Sequence, residues 1–263
     1  MPFVYPLCSS SKGNATYIGD RGNGILIDAG LSLRQFHRQL SLGGVEWSAI
    51  RAIFITHEHS DHIKGLTAIA QALRVPIYGS RETLETLIEK DLIPAHSTVY
   101  EIRQKTAEIA GLSVTAFHTP HDSVHSLGYR IQFDCGKTAC LCTDLGHITD
   151  EVFSHLCGSD FILLESNYDQ NLLAVGPYPY FLKQRIISDT GHLSNSECAD
   201  TILRLFNAGT AKFTLGHLSE QNNRPELAFA ESLERLSKTG AVLNEDYILT
   251  IAKRMSLGEA VEL

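Results

Sequence analysis

The sequence predicts a layered α/β fold, and three observations carry that expectation. Short apolar, β-branched runs alternate with runs of helical period along all 263 residues. No low-complexity linker interrupts them. The apolar runs also end, one after another, in a histidine or an aspartate. With 43% hydrophobic residues the chain can bury a large core, and α/β chains of this length are often one domain, so residues 1–263 are expected to form one domain.

Taken in order, Ile25-Leu-Ile-Asp28 is a short strand closed by an aspartate. Ala52-Ile53-Phe54-Ile55 is a second, and it runs into Thr-His57-Glu-His59-Ser-Asp61-His62. Ile63, Leu66, Ile69, Ala70 and Leu73 then recur at helical spacing, which puts the polar cluster on a strand-to-helix turn. Leu112 to Phe117 leads into His118, Thr119, Pro120, His121, Asp122 and His125. Thr138 to Thr143 delivers Asp144, and Lys212 to Gly216 delivers His217. Gln184 to Asn207 reads as helices of one layer. Within it, Ser194 followed by Glu197 forms a capping box for the run Glu197 to Leu205.

Three histidines and an aspartate in six positions point to a metal site. Singly, each could be a cap or a turn residue. Several imidazoles buried together without a cation, however, leave many polar atoms to satisfy. His57 and His59 at i,i+2 can converge on one cation if the turn curls, while Asp61 and His62 diverge and can serve a second. Mixed nitrogen and oxygen donors suit Zn, Mn, Fe or Ni better than Ca or Mg. With Asp144, His217 and one of His118, His121 and His125, the chain holds enough ligands for two divalent cations, and one carboxylate, Asp28, is left for support.

In chain order Asp28, His57/His59/Asp61/His62, His121, Asp144 and His217 resemble the ligand pattern of the metallo-β-lactamase superfamily over nearly the whole chain. The resemblance implies a four-layer αββα sandwich with a dinuclear site along one edge of two sheets. It assigns His57, His59 and His121 to one metal, Asp61, His62 and His217 to the other, Asp144 to the bridge, and Asp28 to orienting a ligand. Details narrow the branch. His59 stands where flavodiiron oxygen reductases carry Glu, and Asp144 supplies a bridging carboxylate that the β-lactamases proper lack. Too few residues separate Asp144 from His217 for the large inserted domain of the RNase J type. The third-motif turn also departs from the glyoxalase II pattern.

Four further segments are similar to the YycJ/WalJ-type branch: Cys8-Ser-Ser-Ser-Lys-Gly-Asn-Ala15, Leu164-Glu-Ser-Asn-Tyr-Asp169, the stretch Tyr178 to Asn195, and His217-Leu-Ser-Glu-Gln-Asn-Asn223. That branch implies a metal-dependent phosphodiesterase, a double-stranded DNA exonuclease with a 5′ preference, and hence DNA as partner. The chemistry fits: two cations roughly 3.5–4 Å apart activate a bridging water and stabilise charge on the phosphate oxygens. Asp61 is a candidate proton acceptor, and His192 and His125 are candidate proton donors to the leaving oxygen. Lys12, Asn14, Lys183 and Arg185 are candidates for phosphate contact, the first two on a Ser-rich loop suited to anions. A small-molecule hydrolase of cyclic or nucleotide phosphodiesters, esters or lactones is the alternative enzyme, and a metal-binding or nucleic-acid-binding protein without turnover is the alternative class.

A formal net charge of −8 weighs against a broad basic face. Two divalent cations would halve it, and the local field at the cleft decides phosphate binding. The sequence contains no signal-peptide pattern and no apolar run of about 18 residues, so the expectation is a cytoplasmic protein without membrane contact or an obligate protein partner. Six cysteines lack Cys-x-x-Cys spacing and read as reduced packing residues.

Overall fold

The computed structural model describes every residue except 103–105. The strands in chain order are β1 (Phe3–Ser10), β2 (Gly13–Gly19), β3 (Gly24–Ile27), β4 (Ile50–Phe54), β5 (Ile77–Gly79), β6 (Val99–Glu101), β7 (Thr106–Ile109), β8 (Leu112–His118), β9 (Leu127–Phe133), β10 (Thr138–Cys142), β11 (Phe161–Glu165), β12 (Lys212–Gly216), β13 (Ile248–Ile251) and β14 (Val261–Glu262). Among the described residues they form two seven-stranded sheets, ordered β14-β1-β2-β3-β4-β5-β6 and β13-β12-β11-β10-β9-β8-β7. Each begins as an antiparallel meander and becomes parallel, at β3–β4 in the first sheet and at β10–β11 in the second. The chain end β14 returns to pair with β1.

Alternation along the strands sorts side chains into three apolar layers. In β4, Ala52 and Phe54 face the second sheet, whereas Ile53 faces outward onto helices. In β10, Ala139 and Leu141 point between the sheets, and Cys140 and Cys142 point to the opposite helical layer. Helices α1 (Leu33–Leu42), α3 (Leu66–Leu73) and α4 (Arg81–Glu89) cover the first sheet, while α5 (Asp150–Leu156), α8 (Asn195–Asn207) and α9 (Pro225–Ser237) cover the second. Two mixed sheets flanked by helices give the αββα order.

Two helical expectations need correction. The run Ile63 to Leu73 is not one helix: a four-residue turn α2 (Ser60–Ile63) stops, and α3 starts at Leu66. Gly65 is the cause. Its N–H donates to Ala29 O at 2.9 Å, and a Cβ there would lie 1.7 Å from Leu31 O, so the chain dips onto the loop after Asp28 before the helix resumes. Nor is Gln184 to Asn207 one helical layer. Two short helices, α6 (Gln170–Val175) and α7 (Tyr180–Ile186), build a small separate core of Tyr168, Leu173 and Ile186. Residues 187–194 are then a non-helical loop before α8, whose Ser194/Glu197 capping box is formed as expected.

The expected Ser-rich loop is largely strand, since β1 and β2 stay paired out to Ser10 and Gly13. Its return brings Asn14 O onto Gly30 N at 2.8 Å. Gly30 has no room for a side chain: a Cβ would meet Asp61 O at 1.8 Å and Asn14 N at 2.5 Å. Gly30→Ala must therefore move the loops that carry Asp28, Asp61 and Asn14. We expect a loss of about 3 kcal/mol in urea denaturation of the metal-free protein. Wild-type stability would contradict this packing.

Candidate metal centre

Parallel strands of both sheets end along one edge, and the polar cluster grows from those ends. Asp28 follows β3, Asp144 follows β10 and His217 follows β12. All three are left-handed, with φ of 61°, 60° and 53°. A non-glycine residue pays roughly 1 kcal/mol or more for that conformation, and each strand end uses it to turn a polar side chain off the sheet and into the edge.

Donor atoms gather there in groups lying within 4.8 Å of one another. His57, His59 and His121 form one group, and Asp61, His62 and His217 another. Asp144 lies between them: Oδ2 is 3.3 Å from His62 Nε2, and Oδ1 is 3.7 Å from His121 Nε2. His59 Nδ1 approaches His121 Nε2 to 3.3 Å. Asp61 Oδ2 lies 3.4 Å from His62 Nε2 and 3.5 Å from His217 Nε2. A further group of Asp144, Glu165, His192 and His217 is already hydrogen-bonded through Glu165.

The far nitrogens of four imidazoles are pinned. His62 Nδ1 donates to Asp28 Oδ2 at 2.7 Å, His121 Nδ1 to Gly191 O at 3.0 Å, and His217 Nδ1 to Glu165 Oε1 at 2.7 Å. His57 Nδ1 meets Thr56 Oγ1 at 3.0 Å, and that hydroxyl in turn donates to Asp28 Oδ2 at 2.9 Å. Asp28 thus orients His62 directly and His57 through Thr56. Each Nε2 lone pair is left facing the shared space. His57 Nε2, His217 Nε2 and Asp144 Oδ2 are buried with no hydrogen-bond partner. Orphaned atoms of this kind cost about 1–3 kcal/mol each, and divalent cations are the group that their donor chemistry fits.

Electrostatics point the same way. Burial would raise the Asp61 and Asp144 carboxyls, but the surrounding imidazoles hold both well below the usual range. Burial opposes charge on His62 and His217, yet the carboxylates outweigh it, lifting His62 well above the ordinary value and His217 to about 10. His57 is driven well below its ordinary value by burial and by neighbouring His62. The metal-free centre therefore gathers protons where cations would sit.

Glu165 is the residue that sequence reasoning missed. It ends an apolar strand just as Asp28 does, so the same rule could have found it. It is fully buried, and its Oε1 accepts from both His217 and His192 (2.7 and 2.8 Å) while Oε2 accepts from Leu145 N at 3.0 Å. Burial would raise its carboxyl, but His192 and His217 pull it down to about 2.

The structure brings His192 to the centre, with its ring 5.1 Å from that of His121 and its side chain 17% exposed. His125 instead stacks near His118, ring centroids 4.9 Å apart, and belongs to none of the donor groups. Asn14 turns inward, its Nδ2 lying 3.2 Å from Asp61 Oδ2 and 3.0 Å from His62 Nε2. Lys12 is paired with Glu220 at 2.5 Å, Arg185 with Asp122 (Nη2–Oδ1 3.0 Å), and Lys183 donates to Ala174 O at 2.6 Å.

Two measurements follow. Glu165→Gln keeps the shape but removes the charge behind His217 and His192, and should weaken metal binding about 10–100-fold in competition with a chromophoric chelator; an unchanged affinity would contradict its orienting role. At pH 7.5, below the raised values of His62 and His217, both imidazoles hold protons until metal displaces them. Loading should therefore release protons, and affinity should rise with pH toward about 10. Calorimetry in buffers of different ionisation enthalpy reads that release, and a null result would contradict the assignment of both ligands.

A family model described as Beta-lactamase superfamily domain matches residues 23–217. Exodeoxyribonuclease WalJ of Streptococcus pneumoniae serotype 2 is 33% identical over 245 residues, which cover 92% of this chain and 90% of WalJ. Exodeoxyribonuclease YycJ of Bacillus anthracis is 32% identical over 244 residues, covering 92% of this chain and 91% of YycJ. In fold, zinc-bound PqqB of Methylobacterium extorquens superposes with a TM-score of 0.70 over 99% of this chain and 100% of PqqB, at 16% identity. The chain belongs to the metallo-β-lactamase superfamily, as a metal-dependent hydrolase similar to the WalJ and YycJ exodeoxyribonucleases.

Proposed function

We propose that the chain is a double-stranded DNA exonuclease with a 5′ preference, working with two divalent cations drawn from Zn, Mn, Fe or Ni. The observation that carries this is the pair of three-donor groups joined by one buried carboxylate, Asp144. Relatives named exodeoxyribonucleases, aligned over nine-tenths of their length, support DNA as the substrate class. His57, His59 and His121 would hold one cation, Asp61, His62 and His217 the other, with Asp144 between them. Once bound, two cations supply an activated water and neutralise charge on the phosphate.

The protein's own groups do the rest. Asp61 is the more exposed carboxylate of the centre, at 20%, and stays ionised, so it is placed to take the proton of an attacking water. His192 is anchored through Nδ1 to the buried Glu165, and its Nε2 is the proposed proton donor to the leaving 3′ oxygen. Asn14 holds Asp61 from the hairpin side. The carboxylate partners of Lys12 and Arg185 favour a second reading, hydrolysis of a small phosphodiester, because they leave little free cationic surface for a duplex. Buried free thiols at Cys8, Cys140, Cys142 and Cys198 support a reducing, cytoplasmic setting. Among the described residues, no helix is long and apolar enough to cross a membrane.

Digestion of duplex DNA labelled separately at each 5′ and 3′ end, in Mn²⁺, tests the proposal. Stepwise loss from the 5′ end is expected, with His59→Ala slower by about 100-fold or more, since metal catalysis is worth several kcal/mol. Intact DNA alongside hydrolysis of a bis-aryl phosphodiester would move the substrate to a small diester.

A further inference from the structure

We propose that the cleft between α6 and α7 is a nucleobase-stacking site, holding an unpaired base of the DNA end within a few nucleotides of the metal centre. This rests on the DNA reading above. The cleft encloses about 590 Å³, within the usual 300–1,000 Å³ of a ligand site. Tyr168, Tyr178 and Tyr180 supply three aromatic rings, Gln170 and Gln184 supply amides, and Lys183 supplies a cation. Among the described residues no carboxylate lines the cleft directly, in a chain with 30 acidic residues and a formal charge of −8; Asp169 caps α6 beside it and spends an oxygen on Leu172 N.

The chemistry of the lining selects a base. Every base has a π face, and stacking on aromatic side chains binds nucleic acid without sequence preference. The amides of Gln170 and Gln184 offer both donors and acceptors to base edges. Lys183 spends one proton on Ala174 O at 2.6 Å, tying α7 to the end of α6, and has two left for a phosphate. Tyr180 is 76% exposed and Phe181 74%, large apolar surface left open on the same short helix.

The segment is also built in advance. Gly176-Pro177-Tyr178-Pro179-Tyr180 sets Tyr178 between two prolines and Tyr180 directly after the second, with proline φ fixed near −65°, and Pro179 caps α7 at φ −63°. Tyr178 packs on the small core of Tyr168, Leu173 and Ile186. Rigid rings lose little freedom on binding.

Position follows from α7 itself. Lys183 faces the cleft, whereas Arg185, two residues and about 200° around the helix, clamps Asp122 beside His121. The cleft and the metal centre thus lie on opposite sides of one helix, about 10 Å across. The chain agrees: Glu165 is at the centre and Tyr168 is in the cleft, three residues apart, so their Cα atoms are at most about 11 Å from each other. A strand leaving the metal centre thus reaches the cleft within a few nucleotides.

The test uses metal-loaded protein and duplex DNA with phosphorothioate ends to slow cleavage, carrying 2-aminopurine at successive positions from the end of either strand. The expected result is fluorescence quenching that peaks at one position within a few nucleotides of the scissile linkage. Tyr180→Ala should bind at least about fivefold more weakly and lose the quench, while Tyr180→Phe, which keeps the ring, retains both. Binding by wild type with no quenched position, or equal affinity in Tyr180→Ala, would overturn the stacking site alone. Failure of wild type to bind any duplex end, read by anisotropy of a remote label, would overturn the DNA reading and the stacking site with it.

Discussion

Burial of four carboxylates against a cluster of imidazoles is the constraint on which the rest of this structure depends. Asp28, Asp144 and Glu165 are almost wholly buried and Asp61 largely so. An isolated buried carboxylate is too costly to keep ionised, so each must face a partner, and the partners available are histidines. Neutral histidines do not balance the charge. Protons on His62 and His217 offset part of it, and divalent cations would offset more. The same concentration of charge favours a cation of high charge among these donors. Proton and metal compete for the same lone pairs.

The fold meets that constraint by sharing the cluster between two sheets. The first sheet contributes Asp28, the cluster after β4 and Asn14; the second contributes His121, Asp144, Glu165 and His217. Neither half of the donor set is complete alone, so any slip between the sheets would pull it apart. Two hydrogen bonds resist such a slip beside the site: Tyr129 OH donates to Ile55 O at 2.6 Å, and Leu127 N to Thr56 O at 3.0 Å. Phe54 packs edge-on to Tyr129 between them, with centroids 5.5 Å apart. Thr56 is thereby tied by its backbone to the second sheet and by its hydroxyl to Asp28, which links register between the sheets to the orientation of two histidines.

Much of this was legible in the sequence because it is local. An apolar run ending in His or Asp says where a strand stops and what it delivers, and that rule locates Asp28, His57, Asp144 and His217 without knowledge of the sheets. It would have located Glu165 as well, had the strand Phe161-Ile-Leu-Leu-Glu165 been read by the same grammar. What local pattern could not supply was contact across the fold. The break at Gly65 is set by the carbonyls of Ala29 and Leu31. Lys12 finds its carboxylate 208 positions away and Arg185 finds one 63 positions away. Among His118, His121 and His125, only the return of the loop ending at Gly191 brings one, His121, to the other donors.

Those paired cations bear on how an acidic chain could hold a polyanion. Lys12 and Arg254 both rest on Glu220, and Arg185 rests on Asp122. A phosphate that recruits them must displace a carboxylate, so their net contribution is small and falls further with salt. On the proposed reading, attraction would then be concentrated at the metal centre. Stacking differs in kind: it adds affinity through the base's π face, which the phosphate charge does not supply. On the same reading, the aromatic cleft one helix away from the metal centre would let a DNA end gain affinity from stacking in addition to charge.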